Sequence, residues 1–253
     1  MRYSKRQPKI LELVRERGSC GISELAETFG VSLETIRRDL RPLADSGQVL
    51  KLHGSVMLPN SMQEPSFQAR MRENAEAKER MARATFALVD DGASLMIETG
   101  STMNYVARRI CERAGLTVVT NSVEIARIMA SRQDHRIYLA GGELRIDDGA
   151  ALGNAAIDFI RQFTVQYGII SAGSISATAG LTNYDLRDSE FCNTLLKQSR
   201  TRIAVLDGSK FQQQTLVRVC AFSDIDILVT DSQPGDDLRR ALTDADVRIV
   251  IAD

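Results

Sequence analysis

Seven short apolar runs recur between residue 93 and the end of the chain, with helical stretches among them. They span residues 93–98, 116–120, 136–140, 167–172, 202–207, 225–230 and 247–252. A continuously apolar run is typical of a strand buried on both faces, and strands that alternate with helices form a mostly parallel sheet covered on both sides. This part of the chain is therefore predicted to be a mostly parallel α/β domain.

A different pattern precedes it, in the segment ISELAETFGVSLETIRRDL at residues 22–40. Two short amphipathic helices are predicted there, with Ser23 capping the first and Ser32 capping the second. The buried stripe of the second helix is predicted to consist of Ile36, Leu40 and Leu43. Two helices around a tight turn, the second with its arginines outside, are typical of a helix-turn-helix that enters the DNA major groove.

The flanking residues complete a winged helix. A first helix is predicted to begin at Pro8 and to end at Gly18, and residues 48–58 indicate a hairpin around a His-Gly-Ser turn. The residues predicted to contact DNA are Ser32, Thr35, Arg37, Arg38, Arg41, Lys51 and His53. Two alternatives stay open: His53 is only a surface turn residue, or the arginines only solvate a surface helix.

Pro42 departs from this pattern because it lies inside the predicted recognition helix. A proline there removes a backbone hydrogen bond and clashes with the preceding turn, at a typical cost of about 3 kcal/mol. The recognition helix is therefore predicted to kink or to end early, near Arg41.

The net charge of −1 hides an asymmetry between the two parts of the chain. Residues 1–60 carry 10 Lys and Arg against 7 Asp and Glu, a net charge of +3, and the remainder carries 22 against 26, a net charge of −4. The excess positive charge lies with the DNA-binding module, whose first residues include Arg2, Lys5, Arg6 and Lys9. Because +3 is weakly basic, tight DNA binding requires a homodimer or a larger homo-oligomer.

The polar segment at residues 59–66, bounded by prolines, indicates a linker. We therefore predict a winged-helix domain at residues 1–58, a linker at 59–75 and an α/β domain at 76–253. No apolar run approaches the roughly 18 residues that span a bilayer, and no signal-peptide pattern is present, so a cytoplasmic protein is predicted. The four cysteines lie far apart without a CxxC pair, which predicts neither a metal site nor a disulfide framework. No cofactor is predicted.

Polar loops suited to a phosphate follow four of the predicted strands. Ligands of open α/β sheets collect outside the carboxyl ends of the strands. The first loop combines a glycine, two hydroxyls and a helix N-terminus, and the others add a carboxylate and two cations. The predicted binding residues are Gly100, Ser101, Thr102, Asn121, Ser122, Gly141, Gly142, Glu143, Arg145 and Lys210. Each loop alone is common, but together they indicate a small, anionic, hydroxylated ligand such as a sugar or polyol phosphate.

Several of these motifs occur together in one known family. They are VSLETIRRDL with the HGSVMLP that follows, Arg70, Lys78, the Gly-Ser-Thr turn at 100–102, TNS at 120–122, GGELR at 141–145 and DGSKF at 207–211. Over essentially its whole length the chain resembles the bacterial DeoR-type transcriptional repressors. The resemblance implies an N-terminal winged helix joined to a sensor domain similar to ribose-5-phosphate isomerase. It also implies a repressor of a sugar or polyol catabolic operon, which binds operator DNA as a homodimer or homotetramer and releases it when a phosphorylated metabolite binds.

Residues 139–163 are most similar to the branch of the family that responds to glycerol 3-phosphate, which makes this compound the favoured effector. The resemblance places Arg37 and Arg38 on the DNA and the loop residues named above around the effector. Ser174-Ile175-Ser176 stands where the family usually carries Gly-Ile-Asp. This difference leaves open the acidic contact to the effector and the effector's identity, so a DeoR-type repressor for a different sugar phosphate is an alternative.

A sugar-phosphate isomerase with an attached DNA-binding domain is the competing class. Such an enzyme needs a carboxylate base above the carbon-bound proton. The candidates for this base by loop position are Glu143, Asp185, Asp188 and Asp207. A further candidate carboxylate is absent because position 176 is a serine, and the chain has only two histidines. The DNA-binding module favours a repressor, which needs affinity for a metabolite and a coupled change of shape rather than turnover. A structural DNA-bridging protein would leave the polar loops unexplained, so we predict a repressor and not an enzyme.

Overall fold

The computed structural model describes residues 6–17, 19–46, 48–52, 54–57, 64–211 and 215–253. The chain divides into two compact units, Met1–Arg70 and Met71–Asp253. The predicted linker at 59–75 spans the boundary between the units, and Phe67–Arg72 within it is helical. The predicted limits at residues 58 and 76 stay predictions.

The first unit has the winged helix-turn-helix expected from its sequence. Its elements, in chain order, are α1 (Gln7–Arg17), β1 (Ser19–Gly21), α2 (Ile22–Phe29), α3 (Leu33–Asp45), β2 (Leu50–Leu52) and β3 (Ser55–Met57). The next helix, α4 (Phe67–Arg72), crosses the boundary between the two units. The strands form an antiparallel sheet in the order β1-β3-β2, which confirms the predicted hairpin after α3. The strand β1 was not predicted, because three residues between two helices are too few to show a strand period.

The core of this unit forms where the apolar stripes of its helices meet. Ile36, Leu40 and Leu43 are completely buried, as predicted, and they pack in one cluster with Ile10 and Val14 of α1. Burial of this stripe fixes how α3 is rotated about its own axis. Its opposite side is therefore left to the charged residues.

The turn between α2 and α3 has the caps that its sequence predicts for the second helix. Gly30 ends α2 in the left-handed conformation, with φ 61°, which glycine adopts without a steric cost. Ser32 begins α3, and its Oγ accepts the N–H of Thr35 at 3.2 Å. These two residues set a sharp connection, because one ends a helix and the other starts the next.

The predicted cap of α2 at Ser23 is wrong. The helix begins at Ile22, and Gly21 precedes it. The N–H of Gly21 donates to the Glu24 carboxylate at 3.2 Å, so the side chain that stabilises this end comes from within the first turn. Ser23 therefore lies inside the helix rather than before it.

The prediction that α3 ends near Arg41 is also wrong, because the helix continues through Pro42 to Asp45. Leu40 and Leu43, on either side of the proline, are completely buried, and their packing holds the helical path. The Pro42 carbonyl still accepts the N–H of Ser46 at 3.1 Å, so the proline removes a donor but no acceptor.

Replacing Pro42 by alanine is expected to raise the stability of the first unit, because it restores one helical hydrogen bond without changing the buried stripe. The free energy of unfolding is expected to rise by up to about 3 kcal/mol. Thermal and urea unfolding of the full chain measure it. The matched control is Pro8→Ala, in the first turn of α1, where a helix N–H has no acceptor in any case and little change is expected. A lower melting temperature for Pro42→Ala would contradict this reading.

The second unit is an α/β fold. Its elements, in chain order, are α5 (Ala75–Phe86), β4 (Ser94–Ile97), α6 (Ser101–Ile110), β5 (Thr117–Thr120), α7 (Val123–Met129), β6 (Arg136–Leu139), β7 (Glu143–Leu144), β8 (Ala151–Leu152), α8 (Asn154–Ile160), β9 (Val165–Ile170), β10 (Ser174–Ser176), β11 (Gly180–Asn183), α9 (Leu186–Lys197), β12 (Ser199–Val205), β13 (Val217–Cys220), β14 (Ile227–Thr230), α10 (Asp236–Asp244) and β15 (Arg248–Ile251).

A seven-stranded parallel sheet organises this unit, in the order β15-β14-β12-β9-β4-β5-β6. Each of the seven apolar runs supplies one strand, which confirms the predicted fold class. Successive side chains of β4 enter different cores: Leu95 and Ile97 pack in one cluster, and Met96 packs in the other. Because neighbouring residues of a strand point to opposite faces, helices cover the sheet on both sides.

Two smaller sheets were not predicted: the hairpin β7-β8 and the antiparallel sheet β10-β11-β13.

In the part of the chain that the structure describes, no helix has the length and apolar character needed to cross a membrane. The four cysteines are free and buried, and no metal-binding cluster of His, Cys, Asp and Glu occurs among the described residues.

Candidate functional site

The outer side of α3, opposite its buried stripe, carries three arginines. Arg37, Arg38 and Arg41 are exposed, and their spacing places them on neighbouring turns of one helix face. Arg37 lies 3.7 Å from the carboxylate of Glu34, and both side chains are more than half exposed, so this ion pair is weak. The guanidinium groups are available to an anionic partner.

The other residues predicted to contact DNA flank this face. Ser32 is exposed and Thr35 is half-buried, with their hydroxyl oxygens 2.9 Å apart. Lys51 is exposed on β2 of the wing. His53 lies outside the described residues, so its two alternatives stay open.

One member of the basic N-terminal group has a structural role. Arg6 Nε donates to Asp39 Oδ2 at 2.8 Å, and Gln7 Nε2 donates to the Asp39 carbonyl at 2.9 Å. Asp39 is buried on α3, so these contacts attach α1 to the recognition helix. The positive charge of Arg6 is therefore largely neutralised by the carboxylate of Asp39.

The predicted effector residues follow strands that are neighbours in the parallel sheet. β4, β5 and β6 are adjacent, and β9 alone separates β4 from β12. Parallel strands end at the same edge, and at about 4.8 Å between strands the loops after β4 and β12 start about 10 Å apart. The topology therefore brings all four loops to one edge of the sheet, where the loops after β4 and β12 start close enough to share one small ligand.

Residues 99–102, the phosphate cradle, connect β4 to α6. Gly100 has φ 141°, a conformation that favours glycine, and it precedes the first turn of α6, to which Ser101 and Thr102 belong. The N–H groups of a first turn lack intrahelical acceptors, and the helix dipole is positive there, so the cradle suits an anion. Asn104, one turn further on, donates to the Gly100 carbonyl at 2.9 Å and holds the turn.

Asn121 and Ser122 hold loops together rather than present free groups. The Asn121 side chain accepts the N–H of Thr99 at 3.0 Å and donates to the Ala151 carbonyl at 3.2 Å. Ser122 caps α7 by accepting the N–H of Ile125 at 3.3 Å. Both residues are buried, and the Asn121 side chain connects the phosphate cradle to the β7-β8 hairpin.

The β7-β8 hairpin carries Arg145, whose guanidinium already binds two carboxylates. Nε and Nη2 donate to the two oxygens of Asp148 at 2.9 and 2.6 Å, and Nη1 donates to Asp188 Oδ2 on α9 at 2.6 Å. Burial opposes the charged guanidinium, but the hydrogen bonds that it donates to Asp148 and Asp188 raise the pKa of Arg145. Burial raises the pKa of Asp188, against the opposing effect of Arg145. Arg145 therefore attaches the hairpin to α9 in this structure.

The glycines before this hairpin allow a close approach of its two strands. A Cβ on Gly142 would lie 2.9 Å from the Leu152 carbonyl oxygen, and its φ of 145° also favours glycine. Gly141 and Glu143 are exposed beside it. The hairpin thus keeps the Glu143 carboxylate at the surface.

Residues 207–210, the Lys210 loop, follow β12. Asp207 is buried and accepts the N–H of Ser209 at 3.0 Å, and the N–H of Gly208 donates to Asp231 Oδ1 at 2.7 Å. Lys210 is half-buried, and its ammonium group makes no hydrogen bond or ion pair with any residue that the structure describes. Among the predicted effector residues with a positive charge, Lys210 is thus unpaired where Arg145 is paired.

Glu98 is a buried residue of the site that sequence reasoning missed. It follows β4, directly before the phosphate cradle, and one carboxylate oxygen accepts the N–H of Ser171 after β9. The other accepts the thiol of Cys192 on α9 at 2.6 Å. An acidic residue at the end of an apolar run was the signal that could have identified it.

The two serines that replace the usual family residues have contacts within the protein. Ser174 Oγ lies 2.7 Å from Thr182 Oγ1 and accepts the N–H of Thr215 at 3.2 Å. Ser176 Oγ accepts the N–H of Ala179 at 3.2 Å. Neither serine supplies the negative charge of an aspartate.

The thiols of Cys192 and Cys220 are expected to resist alkylation in the folded protein. Burial, followed by the neighbouring Glu98, raises the pKa of Cys192 well above its usual value. Burial and Asp224 raise the pKa of Cys220 to about 12. Because the thiolate is the nucleophile, iodoacetamide at about pH 8 should modify both at less than about one-tenth of the rate seen in urea. Peptide mass spectrometry measures this, and equal rates in both conditions would contradict the burial of these thiols.

Two family domains match the two units of the chain. The DeoR-like helix-turn-helix domain matches residues 6–62, and the DeoR C terminal sensor domain matches residues 73–232. Together the matches cover the three exposed arginines of α3, the phosphate cradle, the β7-β8 hairpin and the Lys210 loop.

Similar proteins match over almost the whole chain. It is 34% identical over 249 residues to the glycerol-3-phosphate regulon repressor of Escherichia coli (strain K12), and the alignment covers 98% of this chain and 99% of that protein. It is 33% identical over 234 residues to the glycerol-3-phosphate regulon repressor of Haemophilus influenzae, with 92% and 91% covered. Among solved structures, D-ribose-5-phosphate isomerase in complex with phospho-erythronic acid aligns over 54% of each chain, with a TM-score of 0.41 and 14% identity. That structural likeness is too low to carry an argument.

These matches decide between the two classes that the sequence allowed. The two similar proteins are repressors, and they match 98% and 92% of this chain. The chain also has the helix-turn-helix domain of the family, so it is a repressor and not an enzyme. The chain belongs to the DeoR family of transcriptional repressors.

Proposed function

We propose that this repressor controls an operon for the catabolism of a sugar or polyol, and that glycerol 3-phosphate releases it from operator DNA. The observation that carries the proposal is the edge of the parallel sheet. There the phosphate cradle and the Lys210 ammonium, which has no partner among the described residues, follow strands only two positions apart. A cation and a helix N-terminus at this separation suit a small phosphorylated metabolite. The identity to two glycerol-3-phosphate regulon repressors supports this particular effector.

The DNA contacts in this proposal come from α3 and the wing. Arg37, Arg38 and Arg41 supply the charge for phosphates and base edges, with Ser32, Thr35 and Lys51 beside them. The net charge of +3 in residues 1–60 is small for one copy. We therefore propose that a homodimer or homotetramer binds the operator, in the cytoplasm where the DNA lies.

The effector contacts in this proposal are the main-chain N–H groups of the phosphate cradle and the Lys210 ammonium for the phosphate. Glu143 and the glycines before it lie at the same edge, where they can contact the hydroxyls. A ligand that binds one state of the sensor better shifts the protein towards that state, and operator affinity falls by the coupling energy.

A titration of glycerol 3-phosphate against the complex of the protein with its own upstream DNA tests the proposal. Fluorescence anisotropy should show operator affinity falling by about 5- to 150-fold, which corresponds to typical coupling energies. Glycerol and inorganic phosphate are the controls, because each carries half of the effector's chemistry. Release by another sugar phosphate, but not by glycerol 3-phosphate, would overturn this effector and favour the alternative within the family.

A further inference from the structure

The first turn of α9 lies at the same edge of the parallel sheet as the candidate effector loops. α9 leads directly into β12, so it runs back along the sheet and begins near the end of that strand. A side chain on its second turn supports this position, because the Cys192 thiol donates at 2.6 Å to Glu98, the residue directly before the phosphate cradle. Asp188 precedes Cys192 by four residues and therefore shares its helix face. Asp188 thus lies beside the cradle.

The β7-β8 hairpin holds Asp188 in this position. Arg145 Nη1 donates to Asp188 Oδ2 at 2.6 Å, and the same guanidinium donates to both oxygens of Asp148. Asp148 Oδ2 also accepts the hydroxyl of Thr99, a residue of the phosphate cradle, at 3.4 Å. One guanidinium and one carboxylate therefore separate Asp188 from the cradle.

The second oxygen of the Asp188 carboxylate is open to a ligand. Oδ1 makes no hydrogen bond or ion pair with any residue that the structure describes. The side chain is 13% exposed. The fully buried side-chain atoms without a partner in the described chain lie on Asn104, Arg109, Arg113 and Thr230, so solvent reaches Asp188 Oδ1. Asp188 therefore presents an acceptor whose direction is fixed by the contact of its other oxygen.

Three other carboxylates near the cradle lack this combination. Both oxygens of Asp148 accept hydrogen bonds from a guanidinium, and the two oxygens of Glu98 accept an N–H and a thiol. Glu143 is exposed, and no hydrogen bond to a described residue fixes its side chain. Of these four carboxylates, Asp188 is the one that has both a fixed position and a free acceptor.

We propose that Asp188 recognises the hydroxyl groups of the effector, with Oδ1 accepting their hydrogen bonds while Arg145 holds the carboxylate in place. This inference rests on the proposed function, in which the phosphate binds the phosphate cradle and Lys210. A carboxylate accepts charge-assisted hydrogen bonds from hydroxyls, and its pairing with Arg145 offsets its repulsion of the phosphate. Asp188 then distinguishes a polyol phosphate from a phosphate monoester without hydroxyls.

The variant Asp188→Ala tests the proposal with two ligands of equal carbon chain length, glycerol 3-phosphate and n-propyl phosphate, which has no hydroxyl group. Calorimetry measures both affinities for the full chain, and their ratio is the preference for hydroxyls. The variant is expected to bind n-propyl phosphate within about threefold of wild type and to lower the preference by about 10- to 150-fold, the range for one hydrogen bond to a charged group. Asp188→Asn keeps an acceptor without the charge, so it is expected to lower the preference by a smaller factor.

The matched control is Asp226→Ala, which removes a carboxylate paired with Arg202 at 2.6 Å. Asp226 precedes β14 and therefore lies at the opposite edge of the sheet, so this variant is expected to keep the wild-type preference. A purely structural role of Asp188 would weaken both ligands equally, and an unchanged preference in Asp188→Ala would overturn the proposal. Equal losses of preference in Asp188→Ala and Asp226→Ala would also overturn it, because general destabilisation would then be the cause.

Ribose 5-phosphate, measured in the same way, separates this inference from the effector assignment. If wild type prefers ribose 5-phosphate to n-propyl phosphate but does not bind glycerol 3-phosphate, the proposed effector is wrong. Loss of that preference in Asp188→Ala would then still support the role of Asp188. If wild type prefers neither hydroxylated ligand to n-propyl phosphate, the role of Asp188 is wrong, even where glycerol 3-phosphate releases operator DNA.

Discussion

Replacing Arg37 by alanine is expected to weaken operator binding by about 5- to 150-fold, the range for loss of one good contact from an arginine to a base. Arg37 is exposed on α3, and its ion pair with Glu34, at 3.7 Å, is weak. Its removal should therefore cost DNA affinity without cost to the fold. The buried stripe on the opposite side of α3 is unchanged by the substitution.

Anisotropy titrations at several salt concentrations measure the loss of operator affinity and distinguish a phosphate contact from a base contact. A phosphate contact lowers the slope of log affinity against log salt by about one, whereas a base contact changes discrimination between operator sequences. The matched control is Arg161→Ala, an exposed arginine of the second unit that is paired with Asp158. Effector affinity should stay at the wild-type value. Loss of both DNA and effector affinity would show that the substitution damages the fold, and unchanged DNA affinity would remove Arg37 from the interface.

Replacing Lys210 by alanine is expected to have the opposite outcome, a repressor that binds its operator but is no longer released. Hydrogen bonds to charged groups contribute about 1.5–3 kcal/mol, so affinity for glycerol 3-phosphate should fall by about 10- to 150-fold. The ammonium group has no partner among the described residues, so its removal breaks no hydrogen bond or ion pair with them. Operator affinity without the ligand should equal that of wild type.

Calorimetry with glycerol 3-phosphate and operator release at increasing ligand concentration measure this second effect. Lys197→Ala, at the end of α9, is the matched control, because it removes an exposed lysine of the same unit. Lys210→Arg should recover part of the affinity, since it restores the charge with a different geometry. Release of Lys210→Ala at the wild-type concentration would exclude Lys210 from the effector site.

The parallel sheet could be predicted because its strands are buried on both faces, and such strands appear in the sequence as continuous apolar runs. The β7-β8 hairpin and the β10-β11-β13 sheet could not, because their strands are short and contain many polar or small residues. The end of α3 was mispredicted for a different reason. A local rule for Pro42 was outweighed by the burial of Leu43, which depends on the tertiary core.

The loops of the candidate site could be located from the sequence, but the partners of their side chains could not. Arg145 was predicted to meet a ligand phosphate, and it pairs with Asp188, 43 residues further along the chain. Asn121 was predicted at the effector, and its amide bonds the two loops beside it. Pairings of this kind depend on how distant elements pack, which no spacing in the sequence records.

An anion that binds the guanidinium of Arg145 has to displace a carboxylate that is already paired with it. Asp148 and Asp188 already occupy its donors at 2.6–2.9 Å, as an internal substitute for a ligand. A singly charged anion would exchange one negative partner for another and gain little. A phosphate monoester, with nearly two negative charges at neutral pH, gains more from the same exchange. We therefore expect Arg145 to favour a phosphate monoester over a singly charged anion.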